Sequence, residues 1–206
     1  MSTSKEEIEQ TNDSISPQQD RGPLLSFGLF LLELIKVAIM AGLTIFMVRY
    51  FLFKPFYVKG QSMEPNYYEK EYLIIDELSY RLREPVRGEV VVLKAPPPVE
   101  KDFYLKRILG LPGERVKVED NKVIIYNENH PEGIIVNEKY LTESTPGAIT
   151  ITLGPDQFFV LGDNRDASHD SRRFGAIHRK DIVGRTWIRG WPVSRVSILS
   201  APTYNF

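Results

Sequence analysis

Between Pro23 and Phe53 the chain carries almost nothing but apolar side chains, interrupted only by Glu33, Lys36 and Arg49. A helix rises about 1.5 Å per residue, so about 20 apolar residues cross the hydrocarbon core of a bilayer. Leu34 to Phe53 has that length. Its centre, Val37 to Val48 (VAIMAGLTIFMV), is apolar on every side rather than along one stripe, which favours a membrane span over an amphipathic core helix. Lys36 and Arg49 fall near the ends, where long cationic side chains reach the headgroups. A cleaved signal peptide fits less well: the apolar core starts far from the N-terminus, an acidic tail precedes it, and no A-x-A site follows. Cations at both ends leave the orientation undetermined by charge. Residues 1–22, rich in Ser, Gln, Glu and Asp, are expected to form a disordered tail.

Everything after this segment must therefore supply the folded domain. The 206 residues, 42 % hydrophobic and 26 % charged, have the balance of a globular chain. A net charge of -1 offers no basic field, which excludes nucleic acid as a partner on electrostatic grounds. Cysteine is absent, so disulfides, thiolate nucleophiles and cysteine metal sites are excluded. His130, His169 and His178 lack ligand-like spacing, and neither a metal nor any other cofactor is expected.

Short β-branched or aromatic runs follow one another at Tyr72 to Asp76, Glu89 to Leu93, Phe103 to Leu109, Val116 to Val118, Lys122 to Tyr126, Gly133 to Val136, Ala148 to Leu153 and Gln157 to Leu161. Gly, Pro, Asn and Asp separate them, and the triple proline Pro96 to Pro98 suits an extended connection. The expected fold is a mostly β, antiparallel domain over 54–206. A polar, loop-rich part at about 121–146 reads as a small inserted cap.

Three segments carry candidate chemistry. In GQSMEP, Ser62 lies in a turn that exposes its hydroxyl and offers backbone N–H groups to an oxyanion, although a serine after a glycine is most often a turn residue. In YLKRILGLPGERV, strand alternation places Tyr104, Lys106 and Ile108 on one face, where apolar neighbours would strip Lys106 of the hydration that favours its charged form. On position alone, a lysine reaching solvent from an edge strand fits equally well. Arg107 is a permanent cation and cannot serve as a base. In GDNRDASHDSRR, Asp163, Arg165, Asp166, Asp170, Arg172 and Arg173 surround the hydroxyls of Ser168 and Ser171, a density that suits a turn knitted by ion pairs.

Taken together, the apolar anchor, the SMEP turn, the YLKRILGLPGE strand and GDNRDASHDSR resemble bacterial type I signal peptidases, membrane-bound serine endopeptidases that remove signal peptides from exported preproteins. The likeness covers nearly everything from about Glu33 onward, with the blocks in order. It implies Ser62 as nucleophile, Lys106 as general base and Ser168 as the hydroxyl that orients the lysine. It implies that Phe56, Val58, Met63, Tyr104 and Leu105 line the pockets for substrate residues -1 and -3. Gly60, Arg107, Gly162, Asp163, Asp170 and Arg172 fall where the family holds its site together. The resemblance further implies a single-pass protein of the cell membrane, or of a thylakoid-type membrane, with its tail in the cytoplasm and its β domain outside. Its partners would be preprotein signal peptides, the lipid bilayer and protein-export machinery. Gly60 stands where some relatives have a serine that adds a hydroxyl to the oxyanion hole, and Asn66 replaces the threonine common after SMEP, a change expected to be harmless. Two other classes remain open. A related serine-lysine self-cleaving protein is disfavoured by the anchor, and a non-catalytic membrane-tethered binding module is disfavoured by the intact Ser62, Lys106 and Ser168.

Overall fold

The computed structural model of the chain describes residues 23–51, 53–97 and 102–206. The tail at 1–22, Pro98 of the triple proline and the side chain of Arg49 lie outside those described residues. The chain forms two units, Met1–Ile45 and Phe46–Phe206.

Helix α1 runs unbroken over Pro23–Phe51. Pro23 suits the first helical position because its missing N–H has no partner there in any helix. The stretch Ser26–Met47 is long and apolar enough to cross a membrane. It starts earlier than Leu34 because Glu33 and Lys36, both good helix formers, do not interrupt the helix. Large side chains such as Phe30, Val37 and Ile45 stand exposed along it.

The second unit is antiparallel β structure. Its strands are β1 (Phe53–Tyr57), β2 (Tyr72–Asp76), β3 (Val90–Lys94), β4 (Phe103–Gly110), β5 (Arg115–Glu119), β6 (Lys122–Tyr126), β7 (Ile134–Ile135), β8 (Ile149–Thr152), β9 (Gln157–Leu161), β10 (Ile177–His178), β11 (Ile182–Trp191) and β12 (Ser197–Ile198). Two one-turn helices, α2 (Ser79–Leu82) and α3 (Ser171–Phe174), complete it. The larger sheet has the order β1-β2-β11-β3-β4-β9-β10, with β12 also paired to β11, and the smaller has the order β7-β6-β5-β8.

Period-two alternation distributes the strands between separate hydrophobic clusters. On β3, Val90 and Val92 join Val58, Met63, Leu73, Ile75 and Leu105 on one face, while Val91 and Leu93 join Ile108, Phe158, Val160 and Ile182 on the other. Burial on both faces explains why β3 reads as a continuous apolar run. On β9, Phe159 and Leu161 turn toward a third cluster with Val116, Val118, Val123 and Ile125, which joins the two sheets.

The smaller sheet is inserted between β4 and β9, which are hydrogen-bonded neighbours in the larger one. It spans Arg115 to Thr152 and is thus wider at both ends than the cap read at 121–146, because β5 and β8 pair with each other and enclose the polar stretch. Strands β1, β10, β11 and β12 carry no expectation from the sequence. Of these β11 matters most, since its ten residues join β2 to β3 at the centre of the sheet.

Gly110 closes β4 at a bulge opposite Phe159. A Cβ there would lie 2.5 Å from Val116 Cγ2, 2.7 Å from Leu153 Cδ1 and 2.8 Å from Phe159 Cβ, inside the cluster that joins the sheets. Overpacking of this kind costs about 1–3 kcal/mol. Gly110→Ala is therefore expected to lower the denaturation midpoint of the detergent-solubilised chain, and an unchanged midpoint would contradict this account of the junction.

Candidate active site

Ser62 lies in the loop between β1 and β2, and Lys106 lies on β4. The fold sets Lys106 Nζ 2.7 Å from Ser62 Oγ. Lys106 is only 3 % exposed. Burial pushes its pKa down to about 8, against the opposing pull of Asp170 and Asp163 and with a smaller downward push from Arg172. The buried face predicted from alternation is thus the one observed, and the solvent-reaching edge position is not. The Tyr104 ring lies 5.4 Å from the Lys106 amine. His169 is exposed, and its ring stands edge-on to Tyr104 and tilted against Phe174.

The charged string folds into a turn that docks against Ser62. The Asn164 N–H donates to the Ser62 carbonyl at 3.1 Å. Gly162 fits beneath this contact because it has no side chain: a Cβ would lie 2.2 Å from Ser168 Oγ and 2.4 Å from the Ser62 carbonyl oxygen. Ser168 is itself buried, and its hydroxyl is close enough to the Asp170 carboxylate to help hold that group ionised.

Two buried ion pairs fix the turn. Arg107 donates from Nε to Asp163 Oδ1 at 2.8 Å and from Nη2 to Oδ2 at 2.6 Å, and from Nη1 to the Gly88 carbonyl at 2.8 Å. Arg172 donates from Nε and Nη2 to the two oxygens of Asp170, each at 2.9 Å. Burial pushes the Asp170 carboxyl up, but the hydrogen bonds from Arg172 and from the Gly162 N–H outweigh it and hold the group below the usual carboxylate range. Asp170 also caps α3 by accepting from the Arg172 N–H.

A cleft of about 500 Å³ adjoins Ser62. Phe56, Val58, Met63, Tyr104 and Leu105 all line it, together with Gly60 and Lys106. Gly60 has a φ of +83°, a conformation that favours glycine, and its N–H reaches Glu69 Oε1 at 3.4 Å. Every site residue expected from the sequence is therefore brought to one place. Several contributors were not anticipated. Lys59, Asp102 and Phe103 complete the cleft. Arg165, wholly buried, donates to the Gly162 carbonyl, to both Glu138 oxygens and to Thr145. Arg165 stood in the charged string, but nothing local marks Glu138 or Thr145 as its partners. Asn66 donates to Asp163 Oδ2 at 2.9 Å and to the Tyr140 carbonyl at 3.1 Å.

The lowered pKa of Lys106 has a thermodynamic counterpart. An unfolded lysine binds its proton up to about pH 10.4, whereas the folded chain releases it near 8. Between these values the unfolded state holds more protons, so stability rises with pH, and below 8 the charged amine costs about 3 kcal/mol. Lys106→Met is expected to be more stable than the parent at pH 7, with the difference shrinking as pH rises from about 8 to 10. Parallel stability curves for the two chains across that range would refute the assignment.

The family model described as signal peptidase, peptidase S26, matches residues 31–191. A probable signal peptidase I-2 of Synechocystis sp. is 36 % identical over 176 residues, covering 82 % of this chain and 77 % of that protein. Signal peptidase I P of Bacillus subtilis subsp. natto is 33 % identical over 178 residues, covering 81 % and 92 % respectively. A crystal structure of a signal peptidase I from Enterococcus faecalis V583 aligns at a TM-score of 0.42 and 28 % identity, over 50 % of this chain and 97 % of that one. Because the family match takes in both the turn that carries Ser62 and the charged turn, and the relatives align over about four fifths of the chain, it belongs to the signal peptidase family, peptidase S26, and is a peptidase.

Proposed function

We propose that the chain removes signal peptides from preproteins as a membrane-anchored serine endopeptidase with a Ser62–Lys106 dyad. The observation that carries this reading is the 2.7 Å approach of Ser62 Oγ to a lysine whose pKa burial lowers to about 8. At pH 7 such a lysine is neutral in about one molecule in ten, against fewer than about one in a thousand for a free one.

Substrate binding follows from strand edges. Among the described residues, strand β9 pairs with β4 only at Arg107, Ile108 and Gly110, and β1 pairs only with β2. The cleft is lined by residues of both β1 and the first half of β4, so an extended peptide finds backbone donors and acceptors there. Successive side chains of such a peptide point to opposite sides, which sends positions -1 and -3 into the same apolar wall. Phe56, Val58, Met63 and Leu105 leave room there for small side chains only.

Neutral Lys106 takes the proton from Ser62 Oγ as that oxygen bonds to the scissile carbonyl carbon. The Ser62 N–H, which has no acceptor among the described residues, faces the developing oxyanion. Lys106 then gives its proton to the leaving amine as the C–N bond breaks, leaving an acyl-enzyme. A water deprotonated by Lys106 adds to the ester carbon, and Ser62 Oγ regains the proton on leaving. Ser168 Oγ, buried in the charged turn beside Asp170, accepts a hydrogen bond from the ammonium that forms and fixes its direction. Helix α1 holds enzyme and substrate in one bilayer, which raises the effective concentration of the cleavage site. In this reading 1–22 lies in the cytoplasm, 23–53 anchors the chain, and 54–206 works outside beside the export machinery.

Three measurements test the reading. Lys106→Ala is expected to lose nearly all activity on a preprotein while His169→Ala keeps most of it, and the reverse pattern would replace the dyad with a histidine base. The rate constant kcat/KM should rise with pH through about 8 and stay high at alkaline pH, because the neutral amine is the working form. Cleavage should require Ala, Gly or Ser at -1 and -3, and efficient cleavage after Leu or Phe would contradict the pocket assignment. Separately, the full chain should stay with membranes after carbonate washing, and its release would remove the anchor.

A further inference from the structure

Asn66 lies four residues beyond Ser62, in the same loop, and its side-chain amide N–H groups and its backbone carbonyl are engaged by different parts of the fold. Its amide donates to Asp163 Oδ2 at 2.9 Å and to the Tyr140 carbonyl at 3.1 Å. Its backbone carbonyl accepts from Arg189 Nη2 at 2.6 Å and from Arg195 Nη2 at 3.4 Å. Both arginines are in turn held by Glu71, with Arg189 Nε at 2.9 Å and Arg195 Nη1 at 2.5 Å from its oxygens. Glu71 is 1 % exposed, so this clamp is built into the core rather than laid on the surface.

We infer that Asn66 is a positioning residue, which holds the turn bearing Ser62 in register with the strand bearing Lys106 by linking the Glu71–Arg189–Arg195 clamp to the Asp163–Arg107 pair. The inference deepens the Ser62–Lys106 reading and rests on it. Ser62 and Lys106 sit on different segments, and among the described residues two hydrogen bonds join the 62–66 loop to the charged turn: the Asn164 N–H donates to the Ser62 carbonyl, and the Asn66 amide donates to Asp163. The first is a backbone contact that any residue makes. The second is a side-chain contact, and its amide geometry lets one group serve an anionic carboxylate and a neutral carbonyl together. Asp163 in turn grips Arg107, the residue next to Lys106. A nucleophile displaced by a fraction of an ångström from its base loses rate without losing substrate affinity, because the apolar wall of the cleft does not involve Asn66.

The charges around these groups give the inference a second readout. Lys106 feels Asp163, Asp170 and Arg172, while Asn66 faces Asp163, Arg189 and Arg195. Asn66→Asp keeps the shape of the side chain but turns a donor to Asp163 into a second anion beside it. More negative charge near Lys106 favours its protonated form, so the rising limb of the pH profile moves to higher pH. Packing alone would not shift that limb.

The test uses the full chain in detergent and a preprotein with Ala at -1 and -3, with rates expressed per folded molecule. Asn66→Ala is expected to lower kcat about tenfold or more with KM within about threefold of the parent. Asn66→Asp is expected to move the rising limb of kcat/KM upward by about half a pH unit or more. Asn66→Ser, which keeps a shorter donor, stands in for either variant that fails to fold, and is expected to lose kcat to a smaller degree. A kcat within twofold of the parent, a loss confined to KM, or an unmoved limb in Asn66→Asp overturns the inference. Lys106→Ala is measured alongside. If it stays active, the dyad reading itself fails; if it is inactive while the Asn66 variants behave as the parent, only the positioning role fails.

Discussion

The buried, two-pronged contact between Arg107 and Asp163 is the joint on which the site depends. It ties the middle of β4 to the turn that follows β9, and each partner has a functional neighbour: Lys106 precedes Arg107, and Gly162 precedes Asp163. A charge pair of this kind offsets its own desolvation only when both partners stay in place, and removing one leaves the other stranded at a cost of about 3–5 kcal/mol. The pair therefore makes the geometry close to all-or-none. Tyr140, from the inserted part of the chain, lies over the Arg107 guanidinium at 4.1 Å and shields it further from water.

This arrangement also explains how a lysine stays deprotonatable with two aspartates nearby. Both carboxylates draw a proton toward Lys106, yet each is already matched to an arginine, Asp163 to Arg107 and Asp170 to Arg172. Their residual pull is weaker than the loss of hydration that burial imposes. Arg172 thus does more than hold the turn together, since its charge also opposes protonation of the amine.

Much of this was readable from residues alone. Strands such as Tyr72–Asp76, Lys122–Tyr126 and Gln157–Leu161 announce themselves because β-branched runs end at turn residues. Lys106 stood out as a break in an apolar strand, but position alone fitted an edge lysine equally well, and its burial beside Ser62 Oγ is set by tertiary packing. Strand β11 was not, because IVGRTWIRGW mixes two glycines with two arginines and looks broken. The partners of those arginines are distant in sequence, Asp76 for Arg185 and Glu71 with the Asn66 carbonyl for Arg189, so its strand character lives in tertiary contacts. The same reason hid Glu138 as a partner of Arg165. Asn66 bridges Asp163 and the Tyr140 carbonyl, a contact set by segments far apart in sequence and so not legible from the residues beside it.

The insertion of the smaller sheet between two adjacent strands bears on how the chain reaches its native topology. Pairing β4 with β9 requires the closure of a long loop, a contact that is slow to form when the intervening chain is a random coil. Here that chain folds on itself through local hairpins such as β5 with β6. Once β5 also pairs with β8, the Gly113 N–H reaches the Leu153 carbonyl and the Leu153 N–H reaches the Glu114 carbonyl, so the two stems stand side by side. Early folding of the insertion would thus act as a zipper pull, shortening the effective contour between the strand that carries Lys106 and the one that leads to Ser168. The same side-by-side stems bring the two ends of the insertion together at its base, so the strand that carries Lys106 and the turn that carries Ser168 are held in register by the stem itself.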